Sequence, residues 1–151
     1  MGRTETPRPL AFPLAPWERE GLAAALAKAD LATSDIREPD RLFWRFEHND
    51  VPVGFGGLEI HGKDALLRSI VTLPPVRRRG IGSAIVAALE TEARIAGCRK
   101  VWLLTTLAPA FFEALGYARV DRAAVPEGIR DTQEFAALCP ANATAMTKAL
   151  A

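Results

Sequence analysis

Residues that cross-link a protein or anchor it in a membrane are scarce in this sequence, and each shortage excludes a class of protein. The two cysteines, Cys98 and Cys139, are far apart in sequence and lack CxxC spacing. We therefore expect no disulfide framework and no metal site, and we expect the reducing cytoplasm as the location. Residues 1–16 lack the continuous apolar run of a signal peptide or of a membrane helix, so we expect no membrane partner.

A strong net charge is also missing. The 19 basic and 18 acidic side chains leave a formal net charge of +1, so no general positive field is available to hold nucleic acid. The chain of 151 residues is 49% hydrophobic, which is enough for one sizeable core. We expect a single domain over residues 1–151, with residues 1–8 disordered, and either a monomer or a homodimer.

Apolar spacing in the first half of the chain predicts an edge segment, a helix and three strands. Prolines within residues 9–14 exclude a helix and a central strand there. Strands are predicted over residues 42–47, 53–60 and 65–73. The first two form a hairpin about a turn at residues 49–50. A helix should begin at Pro16, where five apolar residues recur with helical spacing: Trp17, Leu22, Ala25, Leu26 and Ala29.

The second half of the chain alternates helices and strands. An apolar stripe that begins at Ile81 predicts a long amphipathic helix, which Gly97 closes. Another helix should begin at Pro109 and end at Gly116. A further helix is predicted over residues 126–138, and extended segments over 100–105, 117–120 and 142–150.

The segment from Arg77 to Gly82 reads Arg-Arg-Arg-Gly-Ile-Gly and stands between a predicted strand and the long helix. Backbone N–H groups at a helix start, together with the helix dipole, bind anions. Glycines let a diphosphate approach the backbone closely, and the arginines add mobile positive charge. We interpret the segment as a pyrophosphate-binding loop. The alternative is a basic helix start that only faces solvent.

Two familiar phosphate loops do not fit this spacing. A Walker loop requires lysine and then Ser or Thr directly after its last glycine, whereas Gly82 is followed by serine and alanine. A Rossmann loop requires a third glycine where Ile85 stands. It also usually has an acidic residue at the end of the next strand, where this chain has Thr105 and Thr106. The spacing therefore favours neither a Walker loop nor a Rossmann loop.

The remaining pattern, Arg-x-x-Gly-x-Gly after a strand and before a long helix, resembles the acetyl-CoA loop of the GNAT superfamily of N-acetyltransferases. The order of elements, including Leu115-Gly116-Tyr117, is similar to that superfamily over nearly the whole chain. The resemblance implies an α+β (α/β) fold with a central mixed, mostly antiparallel sheet flanked by helices, and acetyl-CoA as the donor. It assigns donor contacts to Val71, Leu73, Arg77, Arg78, Arg79, Gly80, Ile81, Gly82, Ser83 and Phe112.

Acyl transfer from a thioester to an amine needs a neutral amine, a polarised carbonyl and a proton for the leaving thiolate. The resemblance places the carbonyl against the backbone N–H of Val71, where the third strand parts from its neighbour. Many members place a tyrosine acid where this chain has Phe112, and the only tyrosine is Tyr117. Either the thiolate leaves with help from water or another group, or the domain binds acetyl-CoA without rapid turnover.

Two charged residues in the predicted strands are candidates for the acceptor site. Glu59 either faces the acceptor cleft and takes the ammonium proton through water, or faces solvent. Glu47 and His61 are weaker candidates for the same role. Arg68, followed by Ser69, stands in an apolar strand, and a buried guanidinium requires an anion. That anion is either a substrate carboxylate or a structural acid such as Glu59.

Further segments resemble the arsenic-resistance N-acetyltransferase branch of the superfamily and, more distantly, the acetyltransferase domain of N-acetylglutamate synthases. These segments are residues 66–69, 104–106, 111–112, 120–122 and 135–140. Both relatives imply a small acceptor that carries a carboxylate and an amine. The candidates for binding it are Arg68, Ser69, Thr105, Thr106, Arg122, Arg130 and Glu134. Cys139 is interpreted as a small apolar residue rather than as a nucleophile or an arsenic ligand.

Overall fold

The computed structural model of the chain describes residues 9–29, 33, 36, 41–73, 80–106, 108–132 and 143–150. Its strands are β1 (Leu10–Pro13), β2 (Arg41–His48), β3 (Val51–His61), β4 (Asp64–Thr72), β5 (Lys100–Thr105), β6 (Ala118–Val120) and β7 (Thr144–Ala149). Its α-helices are α1 (Glu20–Lys28), α2 (Ile81–Ile95), α3 (Pro109–Ala114) and α4 (Glu127–Arg130). The strands form one sheet in the order β1-β2-β3-β4-β5-β7-β6.

One strand pair differs from all the others in the sheet. β4 and β5 run parallel, whereas the remaining neighbours are antiparallel. The parallel ladder joins residues 64–66 to residues 100–102 and extends no further among the described residues. α2 lies between these two strands in the sequence, as a parallel pair requires a crossover. The mixed, mostly antiparallel sheet expected from the sequence is thereby confirmed.

The face of the sheet that α2 covers holds the larger hydrophobic cluster. Ile85 and Leu89 of α2 are buried against β3 and β4. Two glycines of β3 permit this close approach, because an added Cβ would collide with the helix. A Cβ on Gly54 would lie 2.6 Å from Cδ1 of Ile85, and a Cβ on Gly56 would lie 2.6 Å from Cδ1 of Leu89.

The opposite face carries two smaller clusters. One packs α1 against Phe43, Phe55 and Val71, and the other packs α4 against Leu66 and Trp102. Along β4, the buried Arg68 stands between Leu66, which belongs to the α4 cluster, and Val71, which belongs to the α1 cluster. On this face, a buried polar residue therefore separates the cluster under α1 from the cluster under α4. The face under α2 carries one larger cluster instead.

The predicted helix beginning at Pro16 is wrong in its first turn. Residues Pro16–Glu18 form a separate 3-10 turn, and Trp17 is 83% exposed rather than part of the apolar stripe. Arg19 takes the buried place instead, and its guanidinium donates to the carbonyl oxygens of Leu14 and Ile36. Within α1 the stripe is as expected at Leu22, Ala25 and Leu26, whereas Ala29 is exposed at the helix end.

The helix predicted over residues 126–138 is too long. α4 ends at Arg130, and the backbone N–H and hydroxyl of Thr132 both donate to the carbonyl of Ile129, which closes the turn. Residues 133–138, with Glu134, and Cys139 lie outside the described residues. Within the described part of the chain, each helix is too short or too polar to traverse a lipid bilayer.

Candidate active site

A gap opens in the sheet where β4 and β5 part. Their ladder ends at Leu66 and Trp102, after which β4 continues to Thr72 and β5 to Thr105. β5 keeps its partner on the far side, because it stays paired with β7 through Thr105. The edge of β4 from residue 67 onward therefore faces the gap, and among the described residues no strand pairs with it there.

β4 contains a bulge at this gap. Gly57 pairs with Arg68 and Phe55 pairs with Val71, so residues 69 and 70 together stand opposite Gly56. Ser69 has a φ of 59°, in the left-handed region. A residue other than glycine costs about 1–2 kcal/mol in this conformation, so the surrounding structure must hold it there. Bulges of this kind redirect the groups that follow them.

The register after the bulge decides which backbone amides face the gap. The N–H of Leu73 donates to the carbonyl of Val53 at 2.9 Å, and Val71 stands opposite Phe55 two residues earlier. Because amide directions alternate along a strand, the N–H groups of Val71 and Leu73 both point to β3. The predicted donor contacts of these two amides do not fit this register. The amides that point into the gap belong to Ile70, which sequence reasoning missed, and to Thr72.

The start of α2 lies beside the same edge of β4. Gly80 caps the helix with a φ of 74°, which glycine adopts without strain. No acidic side chain occupies the first turn, so the helix dipole and the amides from Ile81 to Ser83 favour an anion. A Cβ on Gly82 would lie 3.7 Å from Cγ2 of Thr72. The predicted loop residues Arg77, Arg78 and Arg79 lie outside the described residues.

Phe111, rather than the predicted Phe112, covers this helix start. A Cβ on Gly82 would lie 3.3 Å from the ring of Phe111, which is partly exposed. Phe112 is buried in the main cluster and packs edge-on between Phe111 and Tyr117, with ring centroids 5.0 and 5.7 Å away. The short helix α3 therefore presents its first aromatic ring to the donor side and its second to the core.

Tyr117 does not face the gap either. Its hydroxyl donates to Oε2 of Glu90 at 2.8 Å, and Nζ of Lys148 lies 3.1 Å from both oxygens of that carboxylate. Burial, followed by the charge of Glu90, raises the pKa of Tyr117 far above its ordinary value. This hydroxyl keeps its proton inside the core, so it is not placed to serve as the acid for a thiolate.

Glu59 and Arg68 form a buried pair on the face opposite α2. Nη1 of Arg68 donates to Oε2 of Glu59 at 2.8 Å, and both residues are 2% exposed. Nε of Arg68 donates to Oγ of Ser69 at 3.1 Å, and the guanidinium lies 5.4 Å from the ring centroid of Phe43. The solvent-facing alternative for Glu59 is wrong. Of the two anions considered for Arg68, the structural acid Glu59 is the one that binds it.

The second oxygen of Glu59 faces two further nitrogen groups. Nε2 of His61 lies 3.4 Å from Oε1, and Nε of Arg41 lies 3.9 Å from it. Glu47 is elsewhere, paired with Arg45 at 2.6 Å near the other end of β2. Arg41 and Phe43 are two residues apart on β2, so the sequence alone predicts that they lie on the same face of the sheet. It does not reveal that this face holds the site.

The remaining acceptor candidates lie at the end of β5 and in the segment that contains α4. Thr105, at the end of β5, accepts the backbone N–H of Ala108 through its hydroxyl at 3.1 Å, and Thr106 is exposed. Arg122 is half-buried in a 3-10 turn before α4, and Arg130 is exposed in the last turn of that helix. The structure thus brings Glu59, Arg68 and Ser69 together, whereas these threonines and arginines lie on separate elements.

Comparison with known proteins identifies the family. A sequence profile of the acetyltransferase (GNAT) family matches residues 7–117. An uncharacterized protein, YyaT of Bacillus subtilis (strain 168), is 35% identical over 83 residues, which are 54% of this chain. The matched region spans 56% of that relative, only about half of its length.

Solved structures share the fold. Rv2747 from Mycobacterium tuberculosis, in complex with CoA and NLQ, superposes with a TM-score of 0.77 at 20% identity, over 95% of this chain and 100% of that one. N-acetylglutamate synthase from Neisseria gonorrhoeae, with coenzyme A and N-acetyl-glutamate, gives a TM-score of 0.75 at 16% identity, over 94% of this chain and 35% of that one. With the profile match over most of its length, the chain belongs to the acetyltransferase (GNAT) family.

Proposed function

We propose that the protein transfers the acetyl group of acetyl-CoA to the amine of a small acceptor resembling an amino acid, by direct attack in a ternary complex. The observation that carries this proposal is the gap between β4 and β5, which the Ile70 amide faces and which the start of α2 adjoins. The diphosphate then binds at the amides of residues 80–83, and the pantetheine arm and thioester lie along the open edge of β4.

The reaction needs an oxyanion donor beside the thioester. The acceptor enters from the face covered by α1 and α4, and its amine attacks the carbonyl carbon. The N–C bond forms as the C–S bond breaks, and the Ile70 amide donates to the carbonyl oxygen as negative charge develops there. The attacking nitrogen loses its extra proton to water as the amide forms, and the departing thiolate takes a proton from water. No side-chain acid is required for this step, because a thiolate is a good leaving group.

The ammonium proton of the acceptor passes through water to Glu59. This residue stands opposite Leu66, four residues before Ile70. Four residues of strand span about 13 Å, so Glu59 is too far from an amine held near Ile70 to take its proton directly. A carboxylate buried on the acceptor face, with Arg68, Arg41 and His61 around it, suits a relay through bridging water.

An acceptor that carries a carboxylate fits the arginines near this face. Arg122 and Arg130 flank the segment that covers it, and Arg68 is already bound to Glu59. The Neisseria gonorrhoeae relative was solved with N-acetyl-glutamate, which supports a glutamate-like amino acid or a glutamate analogue. The resemblance to the arsenic-resistance branch extends this class to an arsenic-containing toxic amino acid. Thr105 and Thr106 would line the β5 side of the cleft.

We also place the reaction in the cytoplasm. Cys98 is a buried free thiol. Burial, followed by the charge of Asp64, raises its pKa, so this thiol is poorly reactive and suits a reducing compartment. Cell fractionation with an antibody against the protein would test the location, and recovery outside the cytoplasm would contradict it.

A noncatalytic acetyl-CoA-binding module is the second candidate. It is favoured by the aromatic residues of the α3 region, because Phe112 is in the core and the Tyr117 hydroxyl donates to Glu90. Neither residue supplies a proton to a departing thiolate. Such a module would bind acetyl-CoA tightly and release no thiol with any amine.

Thiol release from acetyl-CoA separates the two candidates. Amino acids, glutamate analogues, arsenic-containing amino acids, polyamines and peptides serve as acceptors, and calorimetry measures CoA binding in parallel. Release with a carboxylate-bearing amine, reduced in Glu59→Gln, supports the enzyme and its proton acceptor. Tight binding without release over the whole panel would favour the module. An unchanged rate in Glu59→Gln would remove Glu59 from the mechanism while leaving the enzyme.

A matched pair of glycine variants tests the donor site. In Gly82→Ala, the added methyl group lies at the start of α2, where the diphosphate should bind, so we expect the KM for acetyl-CoA to rise about tenfold. Gly21→Ala makes the same change in α1, where the nearest neighbour is 3.8 Å away, and should leave that KM unchanged. Equal KM values in the two variants would contradict the proposed placement of the diphosphate.

A further inference from the structure

The bulge in β4 changes which residues present their backbone to the gap. Arg68 pairs with β3, so in a regular strand the amides of residues 69, 71 and 73 would point into the gap. The extra residue shifts this alternation by one position. Val71 and Leu73 then point to β3, and Ile70 points into the gap. The identity of the amide at the reacting carbonyl thus depends on one inserted residue.

A side-chain contact holds the inserted residue in place. Ser69 is 5% exposed, and its hydroxyl accepts the Nε–H of Arg68, the residue before it. The same guanidinium donates through Nη1 to Glu59 on β3 and lies over Phe43 on β2. The conformation of Ser69 is therefore tied to two neighbouring strands. No part of the proposed transfer reaction uses this hydroxyl.

We propose that Ser69 and Arg68 are positioning residues: they hold the left-handed bulge that aims the Ile70 amide at the thioester carbonyl. This inference rests on the proposed function, because it requires a thioester in the gap. Ser69 acts through the backbone of the following residue and does not touch the reacting atoms. Its contribution therefore belongs to the stabilisation of the oxyanion and not to the binding of the CoA moiety.

Two substitutions at Ser69 separate its conformation from its hydroxyl. Alanine loses the hydroxyl and disfavours a positive φ, whereas glycine loses the hydroxyl and adopts a positive φ freely. Removal of a whole oxyanion donor costs about 10²–10³ in kcat, so a misdirected one should cost at least about tenfold. We expect Ser69→Ala to lower kcat by about that factor with KM for acetyl-CoA unchanged. Ser69→Gly should remain within about threefold of the wild type in kcat.

A hydroxyl far from the gap supplies the matched control. Thr91, on the exposed side of α2, donates to the carbonyl of Ala87. Thr91→Ala deletes a hydroxyl of the same kind and should leave kcat unchanged. Thermal melting of all three variants shows whether each is folded at the assay temperature. Equal losses of kcat in the alanine and glycine variants, or no loss in either, would overturn the proposal.

Binding measurements keep the test independent of turnover and of the stability of the alanine variant. The probes are CoA and an amide analogue of acetyl-CoA in which NH replaces the thioester sulfur. Wild-type protein should bind the analogue more tightly than CoA, and Ser69→Ala should lose this preference while binding CoA normally. In the wild type, the Ile70 amide resonance should shift with the analogue and not with CoA.

The outcomes distinguish the two proposals. Wild-type protein that does not bind CoA would overturn the proposed function and this inference with it. Wild-type protein that binds both probes equally, with no specific shift at Ile70, would overturn the positioning role alone. A wild type that shows the preference and the shift without any turnover would support the positioning role and favour the noncatalytic module.

Discussion

Two buried charged clusters lie on opposite faces of the sheet and are built from similar groups. The gap cluster consists of Glu59, Arg68 and Ser69, and the core cluster consists of Glu90, Tyr117 and Lys148. Each contains a carboxylate that is paired with at least one cation, and each includes a hydroxyl. Burial of charge alone would mark both as functional sites with equal weight.

The backbone around the two clusters distinguishes them. The gap cluster adjoins a bulge and the open edge of β4, where amides are directed away from the sheet. The core cluster joins α2, the strand β7 and the turn after α3, all with regular hydrogen bonding, and Nζ of Lys148 also caps the carbonyl of Leu115. A buried ion pair therefore indicates a functional site when it supports irregular backbone. Where the surrounding backbone is regular, the pair only links secondary-structure elements.

The largest effect on stability should come from breaking the gap cluster. Arg68→Met leaves the carboxylate of Glu59 buried without its closest cation, which costs about 3–5 kcal/mol in the free energy of unfolding. Urea denaturation measures this loss. The double variant Glu59→Leu with Arg68→Met should recover part of it, because it removes the charge that was left behind. A double variant as unstable as the two single losses added together would contradict the pairing.

The core cluster should tolerate the equivalent change better. The Lys148 side chain is 26% exposed, so Lys148→Met should cost about 1–2 kcal/mol, less than a fully buried pair. The kcat of acetyl transfer should remain unchanged, because Lys148 lies away from the gap. A drop in kcat comparable to that of Ser69→Ala would break the distinction between the two clusters.

Removal of the tyrosine hydroxyl should have a smaller effect with a specific pH dependence. Tyr117→Phe loses one hydrogen bond to Glu90, which costs about 1 kcal/mol near neutral pH. The raised pKa means that folded protein keeps the proton above pH 10, where the unfolded chain releases it. Stability of the wild type therefore falls as pH rises above about 10, and the variant should lack this contribution.

Urea midpoints at pH 8 and at pH 10.5 check this prediction. The two proteins differ only in the hydroxyl of residue 117, so the difference between wild type and variant isolates the tyrosine. Parallel loss of stability in both proteins over this interval would show that the Tyr117 hydroxyl is not responsible.

The smallest effect should come from an ion pair on the surface. Nε of Arg119 lies 3.2 Å from Oε2 of Glu113, and the two side chains are 55% and 46% exposed. Arg119→Ala should change the free energy of unfolding by less than about 0.5 kcal/mol, because water screens the pair. Chemical denaturation of Arg119→Ala and of Lys148→Met, measured in parallel, compares the two losses of stability. A larger loss than that of Lys148→Met would show that burial does not rank these pairs.

The sequence predicts well those elements that local rules determine. The stripe of α2, the hairpin turn at Asn49 and Asp50, and the helix ends at Gly97 and Gly116 are all confirmed, the glycines and turn residues with positive φ. Each depends on periodicity or on the backbone conformation of a few consecutive residues. The family resemblance added the mixed, mostly antiparallel character of the sheet, which local rules do not supply.

The candidate site was harder because it depends on register between strands. The pairing of Glu59 with Arg68 follows from how β3 aligns with β4, and beyond Arg68 the bulge shifts that alignment by one residue. Alternation without a bulge leads to Val71, whereas the structure leads to Ile70. The one local indication was the polar pair Arg68 and Ser69 inside an apolar strand, which marks the place of the bulge without revealing its effect.

The short ladder between β4 and β5 has a mechanical consequence. In the described part of the chain, the sheet consists of two antiparallel halves, β1 to β4 and β5 to β7, and the strands where the halves meet pair at three positions on each side. In the proposed complex, the pantetheine arm lies where a continued ladder would run, so the substrate takes the place of missing backbone. A ligand that connects the two halves of the sheet in this way should raise the melting temperature of the protein in proportion to the logarithm of the ligand concentration.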